Sequence, residues 1–246
     1  MKFNVRTIHK NHPVRTTILI FVSLIVIAAG IYAYLSFVHW SHLTGNATTA
    51  TTSLKSSIDE KLSAGTSVTP ETIGAVITDF EAEFGSTPCE SPDAYSWQTI
   101  IPAAADAKAS CDTTFTAGLD TIDRLKTLMN FMNAQEVGAA TIEGAINDTS
   151  ETDYAANQQL WDGVNSNLPT VDVFESTRAV ITDVSEAISD AYGAVAEAIT
   201  NEDRSGLDSA IEDLDSAYSR LPEVHTEAAV IQTSLIENFL TAYDQL

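Results

Sequence analysis

The chain has 246 residues, 44% of them hydrophobic, and a formal charge of −22. The apolar fraction is ordinary for a folding chain and excludes disorder over most of the length. A surface so acidic repels phosphates, which excludes nucleic acid as a partner and favours cations, basic partners or plain solubility.

The charge is polarised along the chain. Lys2, Arg6, Lys10 and Arg15 precede every acid, and all 34 Asp and Glu residues lie at or after Asp59. Residues 16–38, TTILIFVSLIVIAAGIYAYLSFV, carry no charge. At about 1.5 Å rise per residue this stretch spans the ~30 Å hydrocarbon core of a bilayer. Basic residues before the span and none directly after it place the N-terminus inside the cell.

The expected organisation follows from this. Residues 1–15 form a basic cytoplasmic tail, and 16–39 a transmembrane signal anchor that contacts the lipid bilayer. Residues 40–53 are a Thr/Ser-rich juxtamembrane linker, and 54–246 an acidic exterior helical-bundle domain. A cleaved, secreted form is the alternative; Ala33 would sit at the cut, but Ile31 two positions earlier suits it poorly. His39 and Trp40 fall where amphipathic rings favour the outer membrane interface. Residues 1–15 leave no room for a cytoplasmic output domain.

Beyond the linker the apolar period is helical nearly throughout. Thr69, Pro70 and Glu71 read as a cap, a first-turn proline and an acid at the positive end of the helix dipole. Ile73, Val76, Ile77, Phe80 and Phe84 follow at spacings of three and four, with Gly85 as the stop. Residues 86–97 are irregular and hold Pro88, Cys89 and Pro92. The only cysteines are Cys89 and Cys111. On the exterior side they form the expected disulfide, because that compartment is oxidising. Neither a CxxC pair nor a zinc-type cluster accompanies them.

A long helix is expected from about residue 103, with Cys111, Phe115, Leu119, Ile122, Leu125, Met129 and Met132 as its stripe. It continues toward 146 through Gly138 and Gly144, which oppose it. Ser150 and Asp153 cap a short helix carrying Tyr154, Leu160, Trp161 and Val164. The clearest helix covers 171–200: Phe174, Thr177, Ile181, Val184, Ile188, Ala191, Val195 and Ala198 alternate spacings of three and four, a heptad seam. After a turn at 201–206, Leu207, Ile211, Leu214, Tyr218 and Leu221 form the next stripe. Pro222 then starts or kinks a last helix carrying Val224, Ala228, Ile231, Leu235, Phe239 and Ala242. The fold class is therefore all-α: a single N-terminal transmembrane helix followed by an elongated antiparallel helical bundle.

Chemistry is sparse. No HExxH, GxSxG, P-loop or GxGxxG occurs, and carboxylates spread along helix faces without pairing. His225, near Glu223 and Glu227, reads as a solvated surface histidine. The best partial motif is 201–212, NEDRSGLDSAIE, which resembles an EF-hand loop. That resemblance implies Asn201, Asp203, Ser205 and Glu212 as candidate metal ligands around a turn at Gly206. The first position is Asn, and Asp208 replaces an aliphatic residue, so a helix turn capped by Asp203 competes with it. Tyr95, Trp97 and Trp161 lie outside the clean seams and are candidate partner-binding aromatics, or else plugs of the core.

The function expected is a non-enzymatic, membrane-anchored envelope protein. Its exterior bundle binds or scaffolds partner proteins or a second copy, as an accessory subunit of a membrane complex. An exterior ligand- or cation-binding module is the alternative. No cofactor is implied.

Overall fold

A computed structural model of the chain describes residues 12–62, 68–84, 89 and 102–246, the side chains of 12–19 excepted. Among these residues the structure is all helical, with no strand. In chain order the helices are α1 (His12–Lys61), α2 (Pro70–Phe84), α3 (Pro102–Asp148), α4 (Tyr154–Asp162), α5 (Glu175–Thr200), α6 (Arg204–Ser219) and α7 (Leu221–Tyr243). Two short 3-10 turns, Val164–Asn167 and Asp172–Phe174, join α4 to α5. Two compact units divide the chain: Met1–Ser53 with Ala82–Gly118, and Leu54–Glu81 with Leu119–Leu246.

The expected linker at 40–53 is not a linker. Helix α1 runs through it without a break. Threonine disfavours helix interiors because its hydroxyl competes for backbone partners. Here the hydroxyls of Thr44, Thr48, Thr49 and Thr52 return to the carbonyls of Trp40, Thr44, Gly45 and Thr48, one turn back, at 2.8–2.9 Å. The backbone bonds are thus kept. Trp40, Ala47, Thr51, Leu54 and Ile58 are buried along one side of α1, with half-buried Thr44 between the first two. Their spacings of three and four make a heptad stripe, hidden in the sequence because half of its members are Thr or Ala.

In the second unit α2 buries Ile73, Val76, Ile77 and Phe80, as its spacing predicts. Gly85, the expected stop, lies outside the described residues. Lys126 of α3 pairs with Glu81 at 2.7 Å, and Lys61 of α1 with Asp79. The Lys61 hydrogen bond is the main reason that the Asp79 carboxyl titrates below its usual value.

Helix α5 organises the rest of this unit, packing against α4, α6 and α7. Every member of its seam from Phe174 to Ala198 is buried. A second, polar column lies beside it: Ser185, Ser189 and Gly193 recur every fourth residue and admit α4. A Cβ on Gly193 would stand 2.8 Å from the Gln158 side chain, and the Ser189 hydroxyl reaches the Gln158 carbonyl at 3.2 Å and the Asp162 carboxylate.

Of the stripe expected on α6, Leu214, Tyr218 and Leu221 pack against the core, but Ile211 is 46% exposed, and Ala210 and Ala217 are buried. Residues 207, 210, 214, 217 and 221 keep the heptad spacing, so alanines carry the line that faces α5. A small side chain lets two helices approach closely, and that contact outweighs the larger transfer energy of one isoleucine. Tyr192 of α5 and Tyr218 of α6 share a hydrogen bond of 2.9 Å. Burial, helped by that bond, pushes the Tyr192 phenol well above its ordinary value.

On α3, Gly138 is where Phe174 comes closest. A Cβ there would meet the Phe174 ring at 2.9 Å and Ile181 Cδ1 at 3.4 Å, and both partners are buried. Gly144, one and a half turns on, has nothing within 4 Å. Gly144→Ala should stabilise the fold by about 0.5–1 kcal/mol through helix propensity. Gly138→Ala gains the same propensity but forces Phe174 to move, at a cost of about 1–3 kcal/mol, and should be the less stable of the two. Urea unfolding checks this; equal shifts in both variants would contradict the close contact.

The phenol of Tyr243 on α7 donates to Asp59 of α1 at 2.5 Å, and this hydrogen bond is the main reason its pKa is raised to about 12. The folded protein therefore holds the proton after the unfolded chain, whose tyrosines titrate near pH ~10, has lost it. Stability from this contact is complete below pH ~10 and falls as pH rises to about 12. Alkaline melts of Tyr243→Phe should lack that part of the decline; an unchanged slope would remove the contact from the account.

Candidate functional site

No group of three or more His, Cys, Asp or Glu comes together among the described residues in a way that could hold a metal. What the fold does build is a packed collar at the end of the apolar span and a capped acidic turn between α5 and α6.

The collar belongs to the first unit. Trp40 is 1% exposed, with Lys108 Nζ of α3 lying 5.7 Å from its ring centroid, within cation–π reach. The His39 ring meets Trp40 edge-on at 5.6 Å. The Thr44 hydroxyl lies 2.9 Å from both the Trp40 and the Ala107 carbonyls, so one proton ties α1 to α3. One turn further, Ala47 is fully buried against the Cys89–Cys111 disulfide, with Leu43 and Phe115 beside it. The disulfide closes a separation of 22 residues, worth about 3 kcal/mol in the loop-entropy account.

This corrects one expectation. His39 and Trp40 do follow the apolar stretch, but the buried Trp40 ring packs on protein and offers no face to lipid headgroups. Of the three candidate recognition aromatics, Tyr95 and Trp97 lie outside the described residues. Trp161 is 1% exposed and edge-on to Tyr218 at 5.7 Å, so it is a core residue and not a surface contact.

The acidic turn is a second correction. An EF-hand needs a twelve-residue loop whose ligands converge on one point. Here α6 begins at Arg204, and Glu212 lies exposed in its interior. Asn201 caps α5. Glu202 adopts φ 52, and the Glu202 and Asp203 amides donate to the Ile199 and Ala198 carbonyls at 3.2 and 2.9 Å. That is a Schellman closure with Glu where glycine is usual. The Asp203 carboxylate is taken up as the α6 cap, accepting from the Ser205 and Gly206 amides at 3.1 and 3.0 Å. Asn201, Asp203, Ser205 and Glu212 are therefore not gathered into one coordination sphere. The EF-hand spacing looked right in sequence because a helix–turn–helix with an acidic cap uses the same residue types.

Two features escaped the sequence reading: the α1–α3 collar, and the tyrosine pair between α5 and α6. The heptad stripe in the threonine segment was the one available signal for the collar. No protein-family model matches the chain, and no curated protein or solved structure matches it either.

Asp203→Ala should cost about 1 kcal/mol as a lost helix cap, equally with and without millimolar calcium. A melting temperature that calcium raises in the parent protein and not in the variant would reinstate the metal loop.

Proposed function

We propose that this protein is a non-enzymatic, single-pass membrane protein of the cell envelope whose exterior helical bundle, elongated and antiparallel, scaffolds partner proteins. The observation that carries the reading is the course of α1. Its segment from Ile20 is long and apolar enough to cross a membrane, and large side chains from Ile20 to Val38 are exposed. The same helix then continues, unbroken, into the buried stripe that begins at Trp40.

A cleaved leader ends in a small-residue site that the peptidase reads. The uninterrupted helix across residues 30–40 and its packing onto α3 just beyond favour a retained anchor. The four basic residues before the span support an inside N-terminus. The oxidised Cys89–Cys111 pair fits an exterior domain. Val230, Ile236 and Leu240 on α7 are 61%, 38% and 48% exposed, apolar side chains on an otherwise acidic domain. Exposed apolar contacts of this kind suit a helical partner.

Native membranes provide the test. The protein should remain in the pellet after carbonate washing, keep its first fifteen residues, and lose its bundle to protease added from outside. Cross-links to a stoichiometric partner should include α7. A soluble mature chain beginning after residue 33 overturns the anchor, and a protein that runs alone overturns the scaffold.

A further inference from the structure

Within the second unit, α3, α5 and α7 leave a cavity of about 420 Å³ between them. Ligand sites for small molecules fall in the range of roughly 300–1,000 Å³ and are mostly apolar with a few placed polar groups. The walls here are Ile142 of α3, Ile181 of α5, and Leu221 and Val224 of α7. Ala139 and the buried Ala228 also line it, and their small side chains leave the space open.

One polar group in this wall stands out. Thr177 lines the cavity, is 1% exposed, and its hydroxyl has no hydrogen-bond partner. Other helical threonines of this chain return the hydroxyl proton to the carbonyl four residues back, as Thr141 and Thr226 do. For Thr177 that carbonyl belongs to Val173, in the 3-10 turn that precedes α5, where the helical register has not begun. A buried hydroxyl without a partner is costly and rare. It is a donor left open in an otherwise apolar chamber.

Charge narrows the occupant. Glu143 and His225 are the only ionisable residues lining the cavity, with no Lys or Arg, in a chain of formal charge −22. An anionic head would meet Glu143 with no fixed cation to offset it. We propose that this cavity binds a small uncharged amphiphile, a hydrocarbon body carrying one hydroxyl or carbonyl head that accepts the Thr177 proton. The site is independent of the membrane anchor and of the partner surface on α7.

The experiment uses the full chain in lipid nanodiscs, ¹³C-methyl NMR, and 1-octanol as the probe, with octanoate as the anionic counterpart. 1-Octanol should shift the Ile142 and Ile181 methyl signals saturably and leave that of Ile73 on α2 in place. Octanoate should bind more weakly. Ala139→Leu, a change at an exposed position, should fill the chamber and abolish the shifts while the melting temperature holds. Thr177→Val keeps the shape, removes the donor, and should weaken 1-octanol by roughly two- to tenfold, the range of one net hydrogen bond. Partitioning of the alcohol into lipid is the same for every variant, so shifts that fail to saturate or that survive in Ala139→Leu overturn the site. Octanoate binding as tightly as 1-octanol, or an unchanged affinity in Thr177→Val, overturns the assigned ligand class.

Discussion

Close approach of helix backbones along α5 is the constraint on which the second unit depends. One side of this helix is a line of bulk, from Phe174 through Ile181, Val184 and Ile188 to Val195. The adjoining side is Ser185, Ser189 and Gly193, where a Cβ on Gly193 would displace the end of the Gln158 side chain of α4. A third contact uses the alanines of α6 at 210 and 217. Dispersion falls off steeply with separation, so small residues that bring whole backbones together rival large ones that hold them apart. The tyrosine pair and Trp161 fill the volume that remains between α4, α5 and α6.

A different device serves the first unit. Its described buried residues include Trp40, Ala47, Cys89, Ala104 and Cys111, with Leu43 and Phe115 packed beside the disulfide. A covalent tie across such a unit restricts the unfolded chain and so favours the folded one. The disulfide supplies one, and the Thr44 hydroxyl bridging to Ala107 sets where α1 meets α3. The apolar stretch that begins α1 is continuous with the residues that α3 and the disulfide hold.

Several carboxylates are engaged in structure: Asp203 caps a helix, Asp153 caps another by accepting from the Ala156 amide at 3.0 Å, Asp183 and Glu223 hold Arg220 at the break between α6 and α7, and Asp59, Asp79, Glu81 and Asp162 tie helices together. Each such contact is small alone. Specific recognition is better sought in apolar features, the exposed side chains of α7 and the chamber beside Thr177.

The sequence by itself determined the helical class, the apolar stretch at 16–38, the α5 seam and the α7 stripe, because each rests on a period written in strongly apolar residues. It also determined the cysteine pair, since only one pairing exists within the chain. Only tertiary structure decided the rest. Threonines at 44–52 read as a linker because threonine alone weakens a helix, and packing on α3 reverses that weak local preference. On α6 the expected stripe failed at Ile211, because alanine carries little transfer energy and is invisible to an apolar period, yet Ala210 and Ala217 are what the close contact buries. The acidic turn was ambiguous because ligand and cap use the same carboxylate, and only the position of the helix start tells them apart. The chamber beside Thr177 had no sequence signal at all: a void arises from the divergence of three helices far apart in the chain, and no local pattern records that.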